Sequence, residues 1–119
     1  MSRSISIWYQ RNNVNIDIEV GNSDLLGAQN SSKDFWSNPL LKDYGINRLA
    51  ELGNLDPVCF VGWSDLKILE KEISILEKEV ENINFDKELK HRWLQNLRFC
   101  IERLKELAPL DSVPKYMIG

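Results

Sequence analysis

The sequence predicts a single α+β domain spanning residues 1–119, with its elements in the order β-β-α-β-α-α. Two stretches, 4–10 and 14–20, alternate apolar and polar residues with a period of two, which is typical of half-buried antiparallel strands. From residue 64 onward the apolar residues recur at alternating threes and fours, which indicates amphipathic helices. We therefore expect a small antiparallel sheet packed on a C-terminal antiparallel helical hairpin.

The first two strands form a predicted β-hairpin, because the Asn-Asn pair between them tolerates the left-handed backbone of a tight turn. Trp8 is expected on the polar face of this hairpin, beside Asp17 and Glu19. A lone hairpin is only marginally stable until another element packs on it. The segment 35–53 is therefore the favoured cover for that face, and a recognition surface is the alternative.

The middle of the chain predicts shorter elements. Residues 21–34 are polar and are expected to form a long loop, with one helical turn in it as the alternative. Residues 46–52 show helical spacing before Gly53. The apolar run 57–63 favours a third strand buried on both faces, and Ser64 is a suitable N-cap for the helix that follows.

Two apolar stripes then predict the helical hairpin, with Asp86 as the N-cap of its second helix. Residues 64–83 carry three lysines and six acidic groups, whereas residues 84–108 carry six basic and four acidic groups. Opposite net charge on neighbouring helices favours their pairing. The tail, residues 110–119, is expected to dock loosely.

The composition excludes several kinds of chemistry. The cysteines, Cys59 and Cys100, lie far apart, and we expect both to be buried thiols. On one helix, His91 and Cys100 would point to opposite sides, so a nucleophile–base pair is not expected. One histidine and two separated cysteines are too few for a structural zinc site. The sequence also has no glycine-rich phosphate loop. Taken together, these observations predict no metal, no cofactor and no catalytic residue.

The charge and hydropathy of the chain limit the kinds of partner that it is expected to have. A net charge of -3 gives no general basic footprint, and the arginines of the second helix have an acidic helix as their neighbour, so nucleic acid is not an expected partner. No apolar run approaches the roughly 20 residues of a membrane span, and the start of the chain lacks the apolar segment of a signal peptide. We therefore expect a cytoplasmic protein that does not enter a membrane.

Six residues stand out as candidate contacts with a partner protein or with a second copy of the chain. Apolar or aromatic residues at predicted polar positions, together with arginine, are the composition of interface anchors. The six are Phe99, Arg92, Arg103, Trp8, Ile68 and Ile75.

Three functional hypotheses follow. The leading one is a non-catalytic protein-interaction domain, because no catalytic constellation is present. The second is a cytoplasmic inhibitor or immunity-type protein that binds one specific partner through acidic and aromatic surface. The third is a minor acid/base enzyme that uses Asp17 and Glu19, since paired carboxylates can do such work when their environments differ. A deep pocket beside Asp17 would favour the enzyme.

Overall fold

The computed structural model describes residues 2–119, and it describes the side chains of all of these except Ser2, Asn22, Asp24 and 28–31. Five strands form one antiparallel sheet. The strands are β1 (Ser2–Arg11), β2 (Val14–Ile18), β3 (Leu25–Ala28), β4 (Val58–Val61) and β5 (Val113–Ile118). Their order is β2-β1-β5-β4, and β3 pairs with the first part of β1. The helices are α1 (Gln29–Trp36), α2 (Leu40–Asp43), α3 (Gly62–Glu79) and α4 (Lys87–Leu107). The predicted α+β class and its C-terminal helical pair are confirmed.

One of the two inner strands of the sheet is β5, which lies in the tail that we expected to dock loosely. This strand pairs with β1 from Val113 to Ile118 and with β4 from Lys115 to Ile118. Tyr116 and Ile118 are fully buried. The expectation was wrong because Pro114 interrupts the strand pattern, and proline cannot donate to a ladder. Here β4 does not reach past Lys115, so Pro114 has a partner strand on one side only.

The segment 21–34 is not a loop. It contains a 3-10 helix (Gly21–Asp24), β3 and the first part of α1. The predicted helix over 46–52 is a 3-10 helix at Leu49–Gly53. Polar composition misled the prediction, because β3 is only four residues long and has Gly27 within it, so no period could be read from it.

The strand β4 is not buried on both faces, since Val58 and Phe60 are buried whereas Cys59 and Val61 are exposed. It forms one edge of the sheet. The next helix begins at Gly62, before the predicted Ser64 cap. Instead, the carboxylate of Asp65 accepts a hydrogen bond from the backbone N–H of Val61 at 2.9 Å.

The two long helices run antiparallel, as the ion pairs between them demonstrate. Arg98 contacts Glu77, and Lys105 contacts Glu70. Moving seven residues toward the C-terminus of α4 therefore corresponds to moving seven residues toward the N-terminus of α3. The predicted N-cap at Asp86 is confirmed by a 3.0 Å hydrogen bond from the Leu89 amide. Opposite charges on the two helices pair as the sequence predicted.

The hydrophobic core lies between the helices and one face of the sheet, here called the inner face. This face carries Ile5 and Ile7 of β1, Phe60 of β4 and Tyr116 of β5. Successive side chains of a strand point to opposite faces, so Ser6, Trp8 and Gln10 of β1 lie on the other, outer face. The sheet therefore separates a packed layer from the surface on which the candidate site lies.

Candidate functional site

Trp8 occupies the middle of a row of side chains that crosses the outer face. Strand register places Asp17 directly opposite Trp8 on one side and Lys115 directly opposite it on the other, and Val61 lies beyond Lys115. Side chains directly opposite each other in antiparallel strands have Cβ atoms about 4.5–5.5 Å apart. The indole thus lies between a carboxylate and an ammonium group.

A groove of about 480 Å³ opens beside Trp8, and Ser6, Asp17, Glu19 and Gly21 contribute to its wall. It is larger than the hollow of about 250 Å³ beside Trp36. Its position follows from the strand pairing. One edge of β1 pairs with β5. Along its other edge, β1 pairs with β3 as far as Ser4 and with β2 from Ile7 onward, and the gap between β3 and β2 forms the groove. We call it the Trp8 groove.

Asp17 and Glu19 are both exposed on the wall of this groove. A carboxyl group that acts as a general acid near neutral pH needs apolar surroundings that disfavour its ionised form. The Trp8 groove is open to solvent and does not enclose either carboxylate. The arrangement therefore suits attraction of a cation better than proton transfer.

The segment 35–53 packs in the core on the inner face of the sheet, so the favoured expectation that it covers the outer face was wrong. Phe35 is buried among aromatic rings on the helical side of the sheet, with ring centroids 5.8 Å from Trp93 and 5.1 Å from Phe85. Trp36 contacts Phe35 edge-on at 4.7 Å and is also buried. The wrong expectation arose because aromatic residues indicate burial without indicating which layer buries them.

The candidate residues of α3 separate into an exposed one and a half-buried one. Ile68 is 43% exposed, whereas Ile75 is half-buried against the core. Between them, Glu72 is buried, and its two oxygens accept hydrogen bonds from the backbone N–H groups of Arg48 and Leu49 at 3.1 and 2.8 Å. The carboxylate thereby holds the start of the 3-10 helix at Leu49–Gly53.

The candidate residues of α4 lie on its solvent side. Phe99 is 45% exposed and Arg92 is exposed. Arg103 is half-buried and lies 3.4 Å from Glu106. One turn before Phe99, Asn96 donates a 2.7 Å hydrogen bond to the carbonyl of Leu25 in β3. The structure does not bring Phe99 near Trp8, since α4 packs on the opposite face of the sheet.

Several other basic groups of α4 are occupied within the chain. Arg98 donates to Glu77, Glu102 and Ser74, and its hydrogen bond with Glu77 is the main factor that raises the pKa of this arginine. Lys90 is buried and donates to the carbonyl of Ile83 at 2.7 Å. These contacts use positive charge that a nucleic-acid surface would need to present.

The cysteines differ from our expectation in one respect. Cys100 is buried, as predicted, and its thiol donates to the Ser23 carbonyl at 3.4 Å. Cys59 is exposed on the outer face of β4, so the prediction of two buried thiols was wrong. His91 lies 2.8 Å from Glu81.

The described residues contain no group of three or more histidine, cysteine, aspartate or glutamate side chains that could hold a metal ion. None of the helices in the described part of the chain is both long and apolar enough to cross a membrane. No protein-family model, curated protein or solved structure matches the chain.

Proposed function

We propose that this protein is a non-catalytic protein-interaction domain whose Trp8 groove binds a basic side chain, lysine or arginine, of a partner protein. One observation carries the proposal: an aromatic ring and two exposed carboxylates line the same groove.

A cation is the ligand that this combination favours. An ammonium or guanidinium group over an aromatic face gains about 0.5–1 kcal/mol at an exposed site, and neighbouring carboxylates add charge-assisted hydrogen bonds. Because Lys115 flanks Trp8 on the other side, we expect the cation on the side of Asp17 and Glu19. A groove of about 480 Å³ is large enough to admit one long side chain together with adjoining backbone.

The inhibitor or immunity-type hypothesis is a narrower form of the same proposal, in which the basic side chain belongs to a single target protein. We place this interaction in the cytoplasm. The acid/base enzyme is less well supported, because Asp17 and Glu19 are both exposed.

A peptide titration tests the proposal. Acetyl-Gly-Arg-Gly-amide and its lysine counterpart are added to nitrogen-15-labelled protein, and backbone amide shifts are followed by NMR. We expect saturable shifts at residues 6–8 and 17–21, weakened by salt, since exposed charge interactions are screened. The neutral acetyl-Gly-Gln-Gly-amide is the matched control ligand. Equal shifts with the neutral peptide, or no shifts at these residues, would refute the proposal.

Matched variants locate the effect. Trp8→Ala and the double variant Asp17→Asn with Glu19→Gln should each abolish the shifts. Asp43→Asn and Glu51→Gln, which change two acidic side chains away from the Trp8 groove, should leave them intact. If the two Asp43 and Glu51 substitutions weaken binding as much as the two Asp17 and Glu19 substitutions do, the response reflects net charge alone and the groove is not the site.

A further inference from the structure

The two edges of the sheet differ in how their backbone groups are used. At β4, Arg48 donates a 2.7 Å hydrogen bond to the carbonyl of Cys59, and Asp65 accepts from the N–H of Val61. The two side chains also lie 3.6 Å from each other. This edge is therefore blocked by side chains, which is a common protection against the addition of another strand.

The opposite edge, β2, has no such protection among the described residues. Its one strand neighbour is β1, and its first four residues are exposed. Val14 is 56% exposed and Ile16 is 40% exposed, although both lie on the inner face of the sheet. A regular edge strand with apolar side chains on one face is a template for pairing with another strand.

The hairpin geometry identifies the backbone groups that are available at this edge. Asn12 and Asn13 have φ values of 53° and 64°, which is the pattern of a two-residue type I′ turn. In such a hairpin, Arg11 and Val14 form the closing hydrogen-bonded pair, and hydrogen-bonded and non-hydrogen-bonded pairs then alternate. The N–H and C=O groups of Asn15 and Asp17 therefore point away from β1.

We propose that two copies of this chain pair antiparallel through β2, with the two-fold axis at Ile16. This register makes Asn15 of one copy and Asp17 of the other a hydrogen-bonded pair. It also places Val14 opposite Ile18 and Ile16 opposite its own equivalent, so apolar side chains meet on the inner face. The two sheets become continuous, and the inference does not depend on the Trp8 groove.

Other registers fit less well. An axis at Asp17 would place two carboxylates directly opposite each other, which destabilises a strand pair. An axis at Asn15 would leave Ile18 without an apolar partner. The sequence of β2 is thus self-complementary in one register, and that feature selects a second copy over an unrelated strand.

Sedimentation from micromolar to millimolar protein tests the pairing. We expect a monomer–dimer equilibrium that Ile16→Lys weakens by at least about tenfold, because two lysines would then face each other across the axis. Leu107→Lys is the matched control, since Leu107 on α4 is 40% exposed, as Ile16 is, and it should not change the equilibrium. Asn15→Pro removes an outward N–H and should also weaken the dimer, with thermal melts showing that each variant remains folded.

Cross-linking tests the register. In a Cys59→Ser background, Ile16→Cys should form a covalent dimer under mild oxidation, because a residue on the axis meets its own equivalent at a distance that a disulfide spans. Val14→Cys and Leu107→Cys should cross-link far more slowly. A protein that stays monomeric at millimolar concentration, a dimer that Ile16→Lys does not weaken, or equal cross-linking of all three variants would overturn the proposal.

Discussion

The hydroxyl of Tyr116 donates a hydrogen bond to the main-chain carbonyl of Leu97 at 3.0 Å, which joins β5, an inner strand of the sheet, to α4 within the core. Tyr116 is fully buried, and this burial raises the pKa of its phenol well above the ordinary value of about 10. The phenol therefore stays protonated in the folded protein at a pH where the unfolded chain loses that proton. The contribution of this group to stability is present below about pH 10 and is lost as the pH rises further.

In Tyr116→Phe, the free energy of unfolding should consequently fall less steeply above pH 10 than in the wild-type protein. The measurement is the free energy of unfolding in denaturant at intervals from pH 8 to pH 11. At pH 8 the variant should be less stable by about 0.5–1.5 kcal/mol, because one buried hydrogen bond is removed. Tyr44→Phe, at a half-buried tyrosine, is the control and should retain the alkaline loss. An unchanged alkaline slope in Tyr116→Phe would assign that loss to other groups.

Glu72→Gln should destabilise the fold by about 1–3 kcal/mol, since an amide NH₂ would face one of the two backbone N–H groups that the carboxylate now satisfies. Chemical unfolding measures the change. Glu102→Gln removes an exposed carboxylate on α4 and should cost only a few tenths of a kcal/mol. Equal effects of the two variants would mean that the contact with the Leu49–Gly53 helix contributes little.

A maleimide reagent should label one thiol quickly in the native protein and the second only as the chain unfolds. Cys59 is exposed on β4 and should be the fast site, whereas Cys100 is buried against Ser23. Peptide mapping after brief labelling identifies the modified cysteine. Cys59→Ser should abolish the fast phase, and fast labelling of Cys100 would contradict its place in the core.

Phe99→Ala should change the free energy of unfolding by no more than about 0.5 kcal/mol, because a side chain that is 45% exposed loses little burial on truncation. Leu94→Ala, on the same helix but buried, should cost about 2–5 kcal/mol. A similar cost for both variants would show that Phe99 packs within its own chain. Its predicted role as a contact residue for a partner would then be lost.

The sequence predicted the elements that repeat a period for long enough to be recognised. The hairpin and the two long helices have such periods, and the buried residues Leu69, Ile73 and Leu97 lie on the predicted stripes. The short strands β3 and β5 do not, because one is four residues long with a glycine and the other contains a proline. Local pattern also cannot report which strands become neighbours.

The candidate site was predicted only in part for the same reason. The alternation in β1 and β2 placed Trp8, Asp17 and Glu19 on one face. The groove itself depends on β1 changing partner between β3 and β2, which is a tertiary property. Arg48 and Asp65 carried no visible signal, since their role depends on the edge position of β4.

The position of β5 has a consequence for protein synthesis. The strands β1 and β4 are both made before residues 113–118, yet each needs β5 as a neighbour. Until β5 is made, β1 with its partners β2 and β3 has no strand link to β4, and the edges that will pair with β5 are open. Unpaired edges of this kind are prone to aggregation. We therefore expect the incomplete chain to be prone to aggregation until β5 joins β1 to β4.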